Sequence, residues 1–156
     1  MMDIQKAIEN LKHNGFTVRY FETAQEAADH MVSALHGKTV GIGGSKTVEA
    51  LGLYDRLCAE NTVYWHWRQP GEQARACAAN AQVYLSSANA ISETGEIVNI
   101  DGTGNRLAAT IYGHETLYIL AGVNKLAPDL AAAIDRARNI AAPLNARRLG
   151  CKTPCV

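Results

Sequence analysis

The chain has 156 residues, with 15 basic and 15 acidic side chains, 47% hydrophobic residues and 6% aromatic residues. A chain of this length fits one domain that buries about 70% of its unfolded surface. The charged fraction of 19% excludes a highly charged disordered chain. The formal net charge of +0 disfavours a nucleic-acid binder that works through bulk charge.

The start of the chain lacks the basic and apolar regions of a signal peptide, and no apolar run approaches the ~20 residues of a membrane span. We therefore expect a soluble, cytoplasmic protein with no membrane contact. The neutral total hides an asymmetry, because residues 136–156 carry only basic charges and leave 10 basic against 15 acidic residues before them. The basic residues of this end are Arg136, Arg138, Arg147, Arg148 and Lys152.

Hydrophobic periodicity and turn residues predict the following elements in chain order. They are a helix over 3–13, a strand over 16–21, a helix over 23–36, a strand over 39–42, a helix over 46–59 and a strand over 62–65. A helix over 70–79, strands over 82–86 and 96–100, a helix over 105–112, a strand over 116–121 and a helix over 128–142 follow. Thr23 and Glu26 have the spacing of a capping box.

This alternation of apolar strands with helices predicts an α/β fold with a mostly parallel sheet covered on both faces. No linker or low-complexity segment interrupts the pattern. We therefore expect a single α/β domain over residues 1–150, followed by a cysteine-containing tail over 151–156 that is cut short.

The first segment with candidate chemistry is the glycine-rich loop after the strand over 39–42. Its candidate ligand-binding residues are Gly41, Gly43, Gly44, Ser45, Lys46 and Thr47. Glycines let backbone N–H groups approach an anion, and the following helix presents its positive end there. The alternative is a tight turn in which Ser45 only caps the helix. The loop has neither the Walker A spacing nor the last glycine of a dinucleotide fingerprint.

The second segment, residues 87–106, packs amides and carboxylates around one short strand. Glu93 and Asp101 are the candidate general acid/base pair. The candidate orienting and ligand-binding residues are Asn89, Asn99, Asn105 and Arg106. The alternative is a set of hydrogen bonds that holds irregular backbone together.

The third segment, residues 121–125, follows a buried strand and supplies Asn124 for ligand binding and Lys125 as a candidate catalytic cation. In open α/β sheets such loops meet at the carboxyl edge. His66 lies between Trp65 and Trp67, a cluster that favours core packing or a homodimer contact over catalysis.

Four cysteines in a chain of this length do not make a disulfide scaffold. Cys58 and Cys77 are expected to be buried free thiols. Cys151 and Cys155 are too few ligands for a metal site. We therefore predict no metal or cluster within these residues, and these two cysteines would be ligands only in a longer form.

Three stretches of the sequence resemble the LUD domain family of lactate-utilization proteins related to LutC and YkgG. They are Ala88 to Arg106, Ala121 to Lys125 and Ala141 to Leu149. The resemblance implies the NagB/RpiA/CoA-transferase-like fold, a three-layer Rossmann-like α/β domain. By this likeness, Gly43, Gly44 and Ser45 would hold a phosphate, and Glu93 or Asp101 would face a sugar.

The resemblance leaves two functions open. One is an enzyme or enzyme subunit of lactate utilization that binds a small anionic metabolite, such as an organic acid, a sugar phosphate or a CoA-type ligand. The other is a non-catalytic assembly subunit that supports an iron–sulfur redox partner, which would carry the cluster. Nucleic-acid binding ranks last, because the basic end lacks interleaved aromatic residues.

Overall fold

The computed structural model describes residues 2–153, so Cys155 lies outside the described residues. The α-helices are α1 Ile4–His13, α2 Ala24–Ala34, α3 Lys46–Ala50, α4 Leu53–Leu57, α5 Glu72–Ala79, α6 Asn105–Ile111, α7 Leu130–Arg136 and α8 Ala142–Leu149. The strands are β1 Thr39–Ile42, β2 Thr62–Trp65, β3 Val83–Ser86, β4 Ala90–Ser92, β5 Ile97–Val98, β6 Thr116–Ile119 and β7 Leu126–Ala127. A 3₁₀ turn covers Val123–Lys125, and a π-helical turn, Ala137–Ala141, joins α7 to α8.

The chain divides into two compact units. Unit 1 contains Met1–Arg19, Ala88–Gly102 and Ala121–Val156, and unit 2 contains Tyr20–Ser87 and Thr103–Leu120. Each unit combines separate stretches of the chain, and each is described by itself. One domain over residues 1–150 stays a prediction.

Unit 2 is built on a parallel sheet with the strand order β2-β1-β3-β6. Ile42 of β1 lies between Trp65 of β2 and Leu85 of β3. Ser86 of β3 lies beside Ile119 of β6. The predicted α/β class and mostly parallel sheet are confirmed.

Helices cover both faces of this sheet, because its side chains alternate between two hydrophobic clusters. Val40, Ile42 and Trp65 face a cluster that includes buried residues of α2 and α4. Tyr84 faces the opposite cluster with Ala109 of α6. Unit 2 therefore has the predicted three-layer, Rossmann-like arrangement.

Unit 1 contains a three-stranded sheet with the order β5-β4-β7. The strand β4 pairs antiparallel with β5 and parallel with β7. Its small core contains Ala90 of β4, Ala127 of β7 and Ala133 of α7, and all three are at most 4% exposed. Because these side chains are all alanine, α7 can pack closely against this sheet.

Several predicted elements differ from the structure. The segment 16–21 is not a strand, and the helix expected over 46–59 is two helices separated at Gly52, which has a φ of +61°. The strand expected over 96–100 covers only Ile97–Val98, while β4 and β7 were missed. The last helix begins at Leu130, where Asp129 caps it, and the helical run continues to Leu149. The capping box of Thr23 and Glu26 is confirmed.

Among the helices of residues 2–153, none combines the length and the apolar character that a membrane crossing needs.

Gly41 lies inside β1, where a methyl group would come within 2.4 Å of the carbonyl oxygen of Ala78 and 2.9 Å of Cδ2 of Tyr84. We expect Gly41→Ala to lower the free energy of unfolding by about 1–3 kcal/mol, because α5 must move away from the sheet. Urea denaturation measures this change. Gly102→Ala is the control, since a methyl group there meets nothing within 4 Å. Equal stabilities for the two variants would contradict the packing.

The end of α2 is joined to the segment before β2 by His36, whose Nδ1 lies 2.5 Å from a carboxylate oxygen of Glu60. The hydrogen bond to Glu60, followed by the one to the Ser33 carbonyl, raises the pKa of His36 above its usual value. The stabilisation is therefore complete below about pH 6.5 and is lost as the pH rises through the folded-state pKa. We expect His36→Gln to remove this part of the pH dependence in thermal unfolding, and an unchanged pH profile would contradict it.

Candidate functional site

The strand order of unit 2 reverses between β1 and β3, because β2 lies on one side of this pair and β6 lies on the other. From β1 the chain passes through α3 and α4 to β2, whereas β3 is followed later by β6 on the other side of the sheet. In open α/β sheets the loops separate at such a point and leave a crevice for ligands. The predicted glycine-rich loop begins at this point.

Two glycines of this loop lie where a side chain would make unusually close contacts with neighbours in unit 2. A methyl group at Gly43 would lie 2.9 Å from Cγ of Arg106 and 3.0 Å from the hydroxyl of Tyr84. A methyl group at Gly44 would lie 3.2 Å from the indole of Trp67. The backbone N–H of Gly43 donates to the carbonyl of Leu85, at 3.0 Å, and so extends the pairing of β1 with β3.

Trp67 in turn stacks on Trp65, with ring centroids 5.4 Å apart, and Trp65 is 1% exposed. The buried, stacked rings agree with the expected role of this aromatic cluster in core packing, and Trp67 lies next to Gly44 of the glycine loop. The homodimer contact stays a prediction.

Hydroxyl groups line the loops that follow β1 and β3. Ser45 accepts a hydrogen bond from the N–H of Val48, at 3.2 Å, and so caps α3 as the second interpretation predicted. Ser87 donates to the hydroxyl of Thr47, at 3.3 Å, which joins the two loops. Because α3 has only five residues, its dipole adds little to anion binding.

The two predicted cations of unit 2 lie in different surroundings. Lys46 forms an ion pair with Glu49, which offsets its charge. Arg106 is the second residue of α6, and its aliphatic chain lies against Gly43. Arg106 therefore brings the aliphatic part of a cationic side chain against the glycine loop from a distant part of the sequence. Asn105 begins the same helix and is half-buried.

Glu93, the first predicted catalytic residue, lies in unit 1 and binds the start of α1. Its carboxylate accepts the N–H of Asp3 at 2.7 Å and lies 3.3 Å from Nζ of Lys6. Its backbone carbonyl accepts the side-chain amide of Asn10 at 2.6 Å, and its own N–H donates to the carbonyl of Ala127. Glu93 is 8% exposed. These contacts give its carboxylate a structural role.

The turn that follows Glu93 is also tightly packed. Gly95 has a φ of +96°, and a methyl group there would lie 2.6 Å from the side-chain nitrogen of Asn14. Glu96 accepts hydrogen bonds from the hydroxyls of Ser92 and Thr94, and these two bonds, the one from Ser92 first, lower the pKa of Glu96. This carboxylate therefore stabilises the turn in its charged form.

Asn89 and Asn99, predicted as ligand-orienting residues, bind each other's loops in unit 1. The side-chain oxygen of Asn99 accepts the N–H of Asn89 at 3.1 Å, and the side-chain oxygen of Asn89 accepts the N–H of Ile100 at 3.1 Å. Arg136 donates to the carbonyl of Asn89 and, at 3.2 Å, to the carbonyl of Asn124. The structure thus brings three of the predicted residues into one loop cluster.

Arg136 was not predicted as a site residue. The sequence showed only its place in the basic end of the chain, and no local pattern connects it with Asn89. Asp101 and Lys125 are half-buried residues of the same unit. The pairing of Glu93 with Asp101 as an acid and a base stays a prediction, as does catalysis by Lys125.

The cysteines differ in part from their predicted surroundings. Cys58 is exposed and Cys77 is half-buried, so the prediction of two buried thiols was wrong. Cys151 is exposed. Within residues 2–153, no group of three or more His, Cys, Asp and Glu side chains is placed to hold a metal ion.

A shallow groove of about 390 Å³ lies at the amino ends of β1 and β2. Its lining includes Gly37, Lys38, Thr39, Glu60 and Asn61. The predicted loops follow the carboxyl ends of the strands, so this groove is not the candidate site.

The family model of the LUD domain matches residues 4–156. No curated protein and no solved structure matches the chain.

The contacts of Glu93 lead to a test of its two interpretations. We expect Glu93→Gln to lower the free energy of unfolding by about 1.5–3 kcal/mol, because a charged hydrogen bond and the ion pair with Lys6 are lost. Relative to the wild-type chain, amide hydrogen exchange should then become faster in α1, while the exchange rates in α2 should change less. Glu9→Gln is the control, since Glu9 is an exposed residue of α1 that accepts a hydrogen bond from the side chain of Gln5 at 3.0 Å. A free energy of unfolding that is unchanged in Glu93→Gln would contradict the structural interpretation and leave the predicted catalytic role of Glu93 in place.

Proposed function

The chain belongs to the LUD domain family, and we propose that it binds a small anionic metabolite at the carboxyl ends of β1 and β3 in unit 2. The candidate ligands are an organic acid, a sugar phosphate and a CoA-type molecule. The family suggests a role in lactate utilization, and we place this role in the cytoplasm.

The observation that carries the proposal is the position of Arg106 against the glycine loop. A side chain at Gly43 would force Arg106 to shift, because Cγ of Arg106 would lie 2.9 Å from the added methyl group. A guanidinium group binds carboxylates and phosphates through two parallel N–H bonds. Glycine at position 43 thus leaves room for a cationic side chain directly beside the loop backbone.

The neighbouring polar groups fit the same class of ligand. Thr47 and Ser87 supply hydroxyls from the two loops, and Ser45 is a buried hydroxyl at the start of α3. Hydroxyls and backbone N–H groups donate to oxyanions without adding negative charge.

The second candidate function is an assembly subunit for an iron–sulfur redox partner. It is favoured by the exposed apolar residues of the basic end, where Ile140 is 48% exposed and Leu144 is 60% exposed. Arg147 and Arg148 are exposed beside them in α8. Under this function the isolated chain would bind none of the three metabolite classes, and it would form a complex with a purified iron–sulfur protein through α8.

The test of metabolite binding is a thermal-shift titration with L-lactate, ribose 5-phosphate and acetyl-CoA. A ligand present at 100 times its Kd stabilises the folded protein by about 2.7 kcal/mol, and for a chain of this size each kcal/mol raises the Tm by about 2–4 °C. We expect one class to raise the Tm. We expect Arg106→Gln to weaken that ligand by about 10- to 100-fold, because one charged hydrogen bond is lost.

Arg56→Gln is the matched control for Arg106→Gln. Arg56 is also in unit 2 and pairs with Asp29, so its replacement removes the same charge away from the glycine loop. No shift with any of the three classes would overturn the proposal. Equal losses of affinity in both variants would also count against it, because they would indicate a general effect of charge.

A further inference from the structure

Arg136 is a half-buried cation that contacts backbone carbonyls in unit 1. Its Nε donates to the carbonyl of Asn124 at 3.2 Å, and its Nη1 donates to the carbonyl of Asn89. Both carbonyls belong to loops that the sequence singled out. The guanidinium therefore lies at the junction of the loop after β3 and the loop after β6.

No carboxylate of residues 2–153 forms an ion pair with this guanidinium. A guanidinium has five N–H groups, and the two contacts to Asn89 and Asn124 use only two of them. Partial burial of a charge without a counter-ion is unfavourable. An oxyanion that bound the remaining N–H groups would supply the missing opposite charge.

The backbone directly after Arg136 is a π-helical turn, Ala137–Ala141. Such turns are rare inside helices and occur frequently at functional sites. Here the turn separates α7, whose residue Ala133 packs in the core of unit 1, from α8. The helix is therefore irregular at the residue that carries the uncompensated charge.

We propose that Arg136 binds the carboxylate or phosphate group of a small ligand at the loop cluster of unit 1. This site is formed by Asn89, Asn124 and Arg136 and does not use the glycine loop of unit 2. The backbone carbonyls orient the guanidinium, and its remaining N–H groups donate to the ligand's oxygen atoms. A purely structural arginine would hold the same carbonyls and bind no anion.

The first measurement uses the wild-type chain, so it does not depend on a variant that folds. The Nε–H resonance of Arg136 is followed by NMR during titrations with inorganic phosphate and, separately, with acetate. We expect a saturable shift with at least one of the two, and the stronger response identifies the anion class. A resonance that does not move with either anion would overturn the proposal.

The second measurement compares Arg136→Gln with Arg138→Gln. Arg138 is an exposed arginine two residues further along, so its replacement removes the same charge from the same helical run. We expect Arg136→Gln to weaken binding of the responding anion by about 10-fold or more and Arg138→Gln to leave it unchanged. Equal effects would overturn the proposal. If Arg136→Gln does not fold, Arg136→Lys keeps the charge and should still weaken binding, because the planar fork is lost.

Failure of the glycine-loop proposal is distinguishable from failure of this one. In Arg106→Gln, the titration response of Arg136 should persist, because the proposed second site consists of Asn89, Asn124 and Arg136 and does not include Arg106. Loss of the Arg136 response in Arg106→Gln would show that the anion binds at the glycine loop alone and would overturn the second site.

Discussion

The close approach of the backbone at the end of β1 is the constraint on which unit 2 depends. Gly41 lets α5 pack onto one face of the sheet, because any side chain there would overlap the carbonyl of Ala78. Gly43, two residues later, gives the same room to Arg106 and to the hydroxyl of Tyr84. The two glycines on either side of Ile42 thus allow both the packing of α5 on the sheet and the close contact of Arg106 with the loop after β1.

In unit 1, two charged side chains form hydrogen bonds with backbone groups outside regular secondary structure. Glu93 binds the start of α1, and Arg136 binds two loop carbonyls. The two differ in one respect that matters for function. The carboxylate of Glu93 is paired with Lys6, whereas Arg136 pairs with no carboxylate among residues 2–153. The carboxylate of Glu93 is thus compensated by its neighbours, whereas the guanidinium of Arg136 bonds only backbone carbonyls among residues 2–153.

Local patterns predicted much of the fold. The strands β1, β2, β3 and β6 are short apolar runs between turn residues, and the capping box of Thr23 marks α2 correctly. The failures have physical causes. The strands β4 and β7 have three and two residues, so no alternation is visible in them. Residues 16–21 alternate as a strand does, but a strand exists only where another strand pairs with it. Gly52 ended a helix whose hydrophobic pattern continued past it.

The sequence by itself determined the α/β class, the parallel sheet, the glycine loop and the family, because each depends on residues close together in the chain. Only the tertiary structure decided which side chains meet. It placed Arg106 against Gly43, Glu93 on α1, and Arg136 between Asn89 and Asn124. These pairs are separated by 12 to 90 positions, and periodicity carries no information over such distances. The candidate sites are therefore properties of chain packing, whereas the fold class is a property of local pattern.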